Sequence, residues 1–251
     1  MQRKSGLDRR DVLGGGLALA ATAAALPAQA KVGQDLPGFK CTEFIRRGPG
    51  LTREQFADHW RGVRAPLARQ LPGLQKLAFN VTDEAHTPNA PYDGAVEYWF
   101  ADAAAYDRAF NGANGGLSET LIADAKVFMQ PDFLGMFTHE VEIHPLKADV
   151  PAPKVKRMGL VRRTADVGRA DFMAEWREKH ALLADLGYGI QRYVLNLIDL
   201  ERMPDCPWDG YAEFWWQDWA AMERASRDRP PAQLAEKSPF GDTLLLRLTQ
   251  D

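Results

Sequence analysis

His180 is the residue best suited to chemistry in this 251-residue chain. It shares a helical stripe with Phe172, Trp176 and Leu183, so it is expected to face a sheet rather than solvent. Imidazole titrates near pH ~6.5 when unperturbed, in the working range for moving a proton. A core histidine satisfied by one backbone carbonyl is the plainer alternative. The other histidines (His59, His86, His139, His144) and the two cysteines (Cys41, Cys206) form no His-Glu-x-x-His and no close cluster, so no metal site is expected. A Gly-x-Ser-x-Gly elbow and a glycine-rich nucleotide loop after a strand are missing, and neither cysteine sits by a base. No cofactor is expected.

Polar groups elsewhere could orient a substrate or hold developing negative charge beside that imidazole. Asn80 and Asn196 fall mid-strand, where asparagine is disfavoured, which suggests a hydrogen bond that matters to the fold or to a pocket. Glu97 and Glu213 interrupt strands that are otherwise apolar and aromatic. Facing inward without a partner they would be candidate acids; paired with Arg46 or Arg162 they would be structural ties. Arg64 cannot act as a base, but it could hold a carboxylate or phenolate, or pair with Glu97. The expected catalytic set is His180, Asn196 and Glu213, with Trp176, Arg162, Tyr193, Trp215, Arg64 and Asn80 around the substrate. Asp93-Gly94 and Asp209-Gly210 read first as turns. Trp176, Trp208, Trp215, Trp216, Trp219, Tyr188, Tyr193 and Tyr211 crowd the second half of the chain. Planar walls of that kind suit an aromatic or polycyclic ligand, or an ordinary core and barrel interface.

These residues are positioned by a unit written twice. Offsetting the sequence by 116 positions aligns about residues 44–110 without gaps, with about a third of the positions identical. Arg46-Arg47 falls on Arg162-Arg163, Trp60-Arg61 on Trp176-Arg177, and Asn80 on Asn196. Pro91-Tyr92-Asp93-Gly94 falls on Pro207-Trp208-Asp209-Gly210, and Glu97 on Glu213. Each copy opens with an alternating strand (Cys41–Arg47; Met158–Arg163). A helix follows, whose face should carry Phe56, Trp60, Val63 and Leu67, or Phe172, Trp176, Lys179 and Leu183. Thr52 with Gln55 makes a capping box at its start. Strands over Leu74–Val81 and Ile190–Ile198, strands from Ala95 and Tyr211, and helices from Asp102 and Asp218 come next. Last strands at Phe137–Ile143 and Thr243–Leu248 complete two β-α-β-β-α-β units of ferredoxin-like type, an α+β fold. Glu97 and Trp99 alternate with Tyr98 and Phe100, so both sheet faces should be buried, one under helices and one face to face against the other copy's sheet. The expected organisation is residues 31–147, a linker at 148–153, and residues 154–251.

The composition, 45% hydrophobic and 26% charged, supports a packed fold and excludes disorder. With a net charge of −3 and no basic stripe, nucleic acid is not an expected partner. Residues 1–30 have the three parts of an export signal: a charged start, a Gly/Ala/Leu stretch from Val12 to Leu26, and Ala28-Gln29-Ala30. Arg9-Arg10 followed by Asp11, Val12 and Leu13 resembles the twin-arginine type, which implies cleavage after Ala30, passage through that export machinery in the folded state, and a periplasmic location.

Phe172, Trp176, Arg177 and His180, followed by Pro207 to Glu213 as Pro-x-Asp-Gly-x-x-Glu, resemble the EthD family of small dimeric α+β barrel proteins. Copy one has the same frame in Phe56, Trp60 and Arg61, with Arg64 where the histidine would stand. The resemblance implies an intramolecular version of the dimeric α+β barrel acting on a small aromatic or polyketide-like compound. Decarboxylation, dehydration, isomerisation or cyclisation would each need only proton transfer and oxyanion stabilisation. The alternatives are a non-catalytic periplasmic binding or accessory protein and, further off, a haem-binding oxidative enzyme. Whether the chain assembles further with copies of itself is open.

Overall fold

A computed structural model describes residues 33–112, 116–180, 189–227 and 240–250, with the side chain of His180 outside that description. A two-residue strand β1 (Gln34–Asp35) precedes β2 (Phe39–Ile45) and a helical segment made of α1 (Arg53–His59), a π-turn (Trp60–Arg64) and α2 (Ala65–Ala68). Then come β3 (Leu74–Thr82), β4 (Gly94–Phe100), α3 (Ala103–Asn111), α4 (Leu117–Phe128) and β5 (Leu134–His144). The second half runs β6 (Val155–Arg163), α5 (Arg169–Glu175), a second π-turn (Trp176–His180), β7 (Arg192–Ile198), β8 (Gly210–Trp216), α6 (Trp219–Arg227) and β9 (Phe240–Gln250).

All strand pairings are antiparallel, in the order β1-β5-β2-β4-β3-β9-β6-β8-β7, and β7 returns to β5. The sheets expected to lie face to face are therefore one closed barrel, stitched at both seams by strands of opposite halves. β3 pairs with β9 (Asn80 opposite Gln250) and β5 with β7 (Glu140 opposite Asn196). Closure satisfies the backbone groups that an edge strand would leave open. Helices cover the outside. Phe56, Trp60, Phe79 and Phe128 are among the residues that form one apolar layer beneath them, and Phe172, Trp176, Tyr193 and Leu195 among those that form the other. Phe44, Met136, Met158, Leu160, Tyr211, Leu246 and Leu248 fill one end of the lumen, so the barrel is packed rather than hollow there.

Local sequence accounts for several joints. Gln55 N–H donates to Thr52 Oγ1 at 3.1 Å and Thr52 N–H to Gln55 Oε1 at 2.9 Å, so the expected capping box starts α1. Asp93 and Asp209 do more than turn the chain. Asp209, fully buried, accepts from Arg163 N–H at 2.8 Å and meets the Arg169 guanidinium at 2.6 Å. Gly210 follows with φ +151°, where a Cβ would collide with the Asn196 carbonyl.

The helical face departs from α-helical spacing. Ala65 N–H donates to Trp60 C=O, an i→i−5 bond that widens the turn. Val63, expected on the buried face, is 42% exposed, and Arg64 turns inward to 5% instead. Pro66, which has no N–H, fits such a break, but the widening recurs at Trp176–His180 ahead of Leu182, so proline is not its sole cause. Lys179, the counterpart of Val63, is likewise exposed.

Candidate functional site

Alternation along β2 divides its chemistry between the two sides of the sheet. Cys41, Glu43 and Ile45 point toward the helices, while Lys40, Thr42 and Phe44 point into the lumen. On the helix side, Glu43 lies opposite Gly135 of β5. Tyr98 O–H donates to Glu43 Oε2 at 3.3 Å. Burial pushes the Glu43 carboxyl above its usual range, opposed by the Arg64 guanidinium and the Tyr98 hydroxyl. Arg64 donates to the Leu121 carbonyl at 2.5 Å and lies 3.7 Å from Asp124. Burial also raises Tyr98 and Cys41, each further raised by Glu43, so Cys41 is an inert thiol. This side of the sheet therefore brings together a desolvated carboxyl, a phenol and a fixed positive charge. A cavity of about 100 Å³ lies under the same helix, lined by Trp60, Arg61, Ala65, Arg69, Leu77 and Phe79.

The lumen side carries a second, larger polar layer. Lys40 reaches Glu97 at 2.5 Å, Glu213 at 2.8 Å and Glu140 at 3.0 Å. Lys156 reaches Glu97 at 2.5 Å and pairs with Glu213 as well. Asn80 donates to Glu97 at 2.7 Å and Asn196 to Glu213 at 2.9 Å. Burial alone would lower Lys40, but the carboxylates of Glu140, Glu213 and Glu97 outweigh it and hold the ammonium well above its usual value. Burial likewise works to raise Glu213, and Lys156 and Lys40 outweigh it, holding that carboxyl well below its usual range. Lys40 and Glu213 are thus each held in the charged form by the other's side of the layer, which acts as a tie between the halves.

The expected site residues are thus divided by the sheet. Asn80, Asn196, Glu213 and Trp215 belong to the lumen, with Trp215 beneath Lys156 at 4.8 Å and Arg192 at 5.0 Å. Trp176 and Tyr193 belong to the helix side of the second half. Asn196 and Glu213 therefore cannot share a pocket with residues of the overlying helix. The side chain of His180 lies outside the described residues; its backbone ends the second π-turn as Arg64 ends the first. Arg162 is at the surface, donating to Asp242 at 3.0 Å with Trp208 5.0 Å beneath it. The partners of Glu97 and Glu213 are lysines rather than Arg46 or Arg162, and Arg46 pairs instead with Asp132. Arg64 and Glu97 stand on opposite faces of the sheet and do not pair.

Glu43, Tyr98, Lys40 and Lys156 were not among the expected residues. The lysine pair had a signal: the 116-residue offset, carried four positions upstream of Phe44, aligns Lys40 with Lys156. Glu43 had none, since its counterpart is Gly159.

Among the described residues no group of three or more His, Cys, Asp or Glu side chains is placed to hold a metal. Three of the described histidines are poorly placed as axial ligands for a haem. His59 is committed to Asp124 at 2.7 Å, His86 stacks on Trp219 at 3.8 Å, and His139 is largely exposed. The 100 Å³ cavity is short of the ~300 Å³ or more that bound small molecules occupy, whereas a more open cleft of about 430 Å³ lies at Arg47, Thr52, Asp93 and Gln130. Cys41 and Cys206 are both free.

Residues 48–132 match the family model of the EthD domain. No curated protein matches the chain by sequence. Among solved structures, an anthrone oxidase-like protein superposes with a TM-score of 0.55 at 10% identity, over 88% of this chain and 93% of that one. A candidate monooxygenase from Fusobacterium nucleatum gives 0.52 at 10% identity, over 86% and 92%. Another, from Lactobacillus acidophilus NCFM, gives 0.51 at 12% identity, over 85% and 93%. At these identities the likeness is one of fold: an α+β protein built on a closed antiparallel barrel, as in the dimeric α+β barrel superfamily.

Proposed function

Starting from an EthD domain set in a closed α+β barrel, we propose that the protein moves protons on a small aromatic or polyketide-like compound without a cofactor, in the gap between helix and sheet. The observation that carries this reading is Glu43, a desolvated carboxyl with Tyr98 O–H at 3.3 Å and Arg64 as its main opposing charge. A carboxyl raised by burial holds its proton more tightly than a free one and can both accept and return it. Glu43 would take a proton from an acidic carbon of the ligand while the neighbouring carbonyl oxygen becomes an enolate. Arg64, always charged, would stabilise that oxygen. Return of the proton to another carbon completes an isomerisation; return to a departing hydroxyl releases water and completes a dehydration.

The two halves are a tandem duplication of one ferredoxin-like unit in this reading, and their helix-side gaps are unequal. The second offers Gly159 and Phe214 where the first has Glu43 and Tyr98, and His180 where the first has Arg64. His180 is the proposed proton carrier of the second gap, with Trp176 and Tyr193 as its aromatic wall. Residues 1–30 direct export by the twin-arginine route to the periplasm, which amino-terminal sequencing of periplasmic protein would test by finding a start at Lys31.

Solvent-deuterium exchange tests the reaction. Protein in D₂O with an anthrone or naphthol probe, followed by proton NMR, should show exchange at the acidic carbon that Glu43→Gln abolishes. His180→Ala reports the share of the second gap. Binding of the probe with no exchange in the parent protein would leave a ligand carrier or accessory protein as the reading.

A further inference from the structure

Helix α4 grips the segment of α1 and the first π-turn through two side chains at once. Asp124, nearly buried, has its Oδ1 2.7 Å from His59 Nε2 and its Oδ2 3.7 Å from the Arg64 guanidinium. Three residues earlier on α4, the Leu121 carbonyl accepts from Arg64; four residues later, the Phe128 ring stacks on His59 at 4.9 Å and lies 6.0 Å from the guanidinium carbon. Asp124 Oδ2 and Arg64 Nε are both buried without a hydrogen bond among the described residues.

We propose that Asp124 is a positioning residue of the first gap, dividing its two oxygens between His59 and Arg64 and so setting how the guanidinium is held against Glu43 and Tyr98. This rests on the reading of Glu43 as the proton carrier. The groups that face Glu43 are Arg64, Tyr98 and Cys41, with Tyr106 of α3 beyond Cys41; those that face Asp124 are His59 and Arg64. A carboxylate beside a buried guanidinium offsets part of its charge, and the offset is felt strongly at low effective dielectric. Whatever charge Asp124 gives to His59 it withholds from Arg64, and Arg64 then acts more fully on Glu43. His59, half-buried, is the solvent-side end of this chain of contacts.

Carboxyl ¹³C NMR of Glu43 across pH, on the full chain without ligand, tests the proposal. Asp124→Asn should lower the Glu43 midpoint by about half to one pH unit, because the guanidinium loses its offset. The same change in an Arg64→Met background should leave the midpoint where Arg64→Met alone puts it. No shift in the parent background, or an equal shift in both, would overturn the proposal. If Asp124→Asn does not fold, His59→Gln serves: it hands both oxygens to Arg64, so the midpoint should rise, and a constant midpoint would overturn the proposal. Because the midpoint is read without a probe, its outcome is separate from loss of exchange in Glu43→Gln.

Discussion

Lys40 of the first half donates to Glu213 of the second at 2.8 Å across 173 residues of sequence, inside a barrel that excludes water from both. Its counterpart Lys156 returns the bond to Glu97, so each ammonium bridges a carboxylate from either half. Two ammoniums shared between Glu97 and Glu213, with Glu140 on Lys40 at the less buried edge, make this arrangement tolerable in a place where one unpaired ion would not be.

Removing one member should therefore cost far more than removing the set. Glu213→Gln or Lys40→Met is expected to lose about 3–5 kcal/mol of unfolding free energy, since an uncompensated ion is left in the lumen. Replacing Lys40, Glu97, Lys156 and Glu213 together by apolar residues of similar volume should lose less than either. Denaturant unfolding monitored by circular dichroism measures both, and equal costs would refute the tie.

The same layer sets the response to pH. Glu213, held below its usual range, stabilises the fold above the ordinary carboxylate value near 4.5, and that contribution is lost as pH falls through the lower native value. Lys40, held above its usual value of 10.5, contributes below that value and is lost as pH rises through the higher native one. Melting temperature should accordingly form a plateau across neutrality and fall at both extremes. Lys40→Met should remove the alkaline decline that Lys40 contributes.

Glu43 has the opposite sign. A carboxyl raised by burial favours the fold at pH values below the ordinary carboxylate value and opposes it as pH rises through the native value. Glu43→Gln should raise the melting temperature at pH 8 and change it little at pH 3, while abolishing exchange. A drop at pH 8 would mean that the carboxyl is a structural tie.

Two glycines should respond in opposite directions. Gly210→Ala meets the Asn196 backbone at φ +151° and should destabilise by about 2–4 kcal/mol. Gly62→Ala, in the first π-turn with open space around it, should stabilise by about 0.5–1 kcal/mol. Thermal melts of the two variants give the comparison.

The 116-residue echo made the order of strands and helices readable, and Asn80, Asn196, Glu97 and Glu213 stood out because polar groups in apolar strands need partners. What those partners are depended on which strands closed the ring, and no local pattern specifies that β3 meets β9. Arg46 and Arg162 were nearer in sequence to the glutamates' strands; the lysines were nearer in space. Val63 was assigned inward by a period of 3.6, and the wider π-turn gave that place to Arg64. Glu43 looked like one charge on an alternating strand, and only the cover of helices above β2 makes it a desolvated acid.

Each of the eight ring strands, β2 to β9, has a neighbour on both sides, and two of the seams join the halves without using the connection from β5 to β6. A protease nick between Lys147 and Lys154 would then yield two fragments that migrate as one molecule until denatured. The continuous backbone at that point supplies local concentration during folding more than strength afterwards.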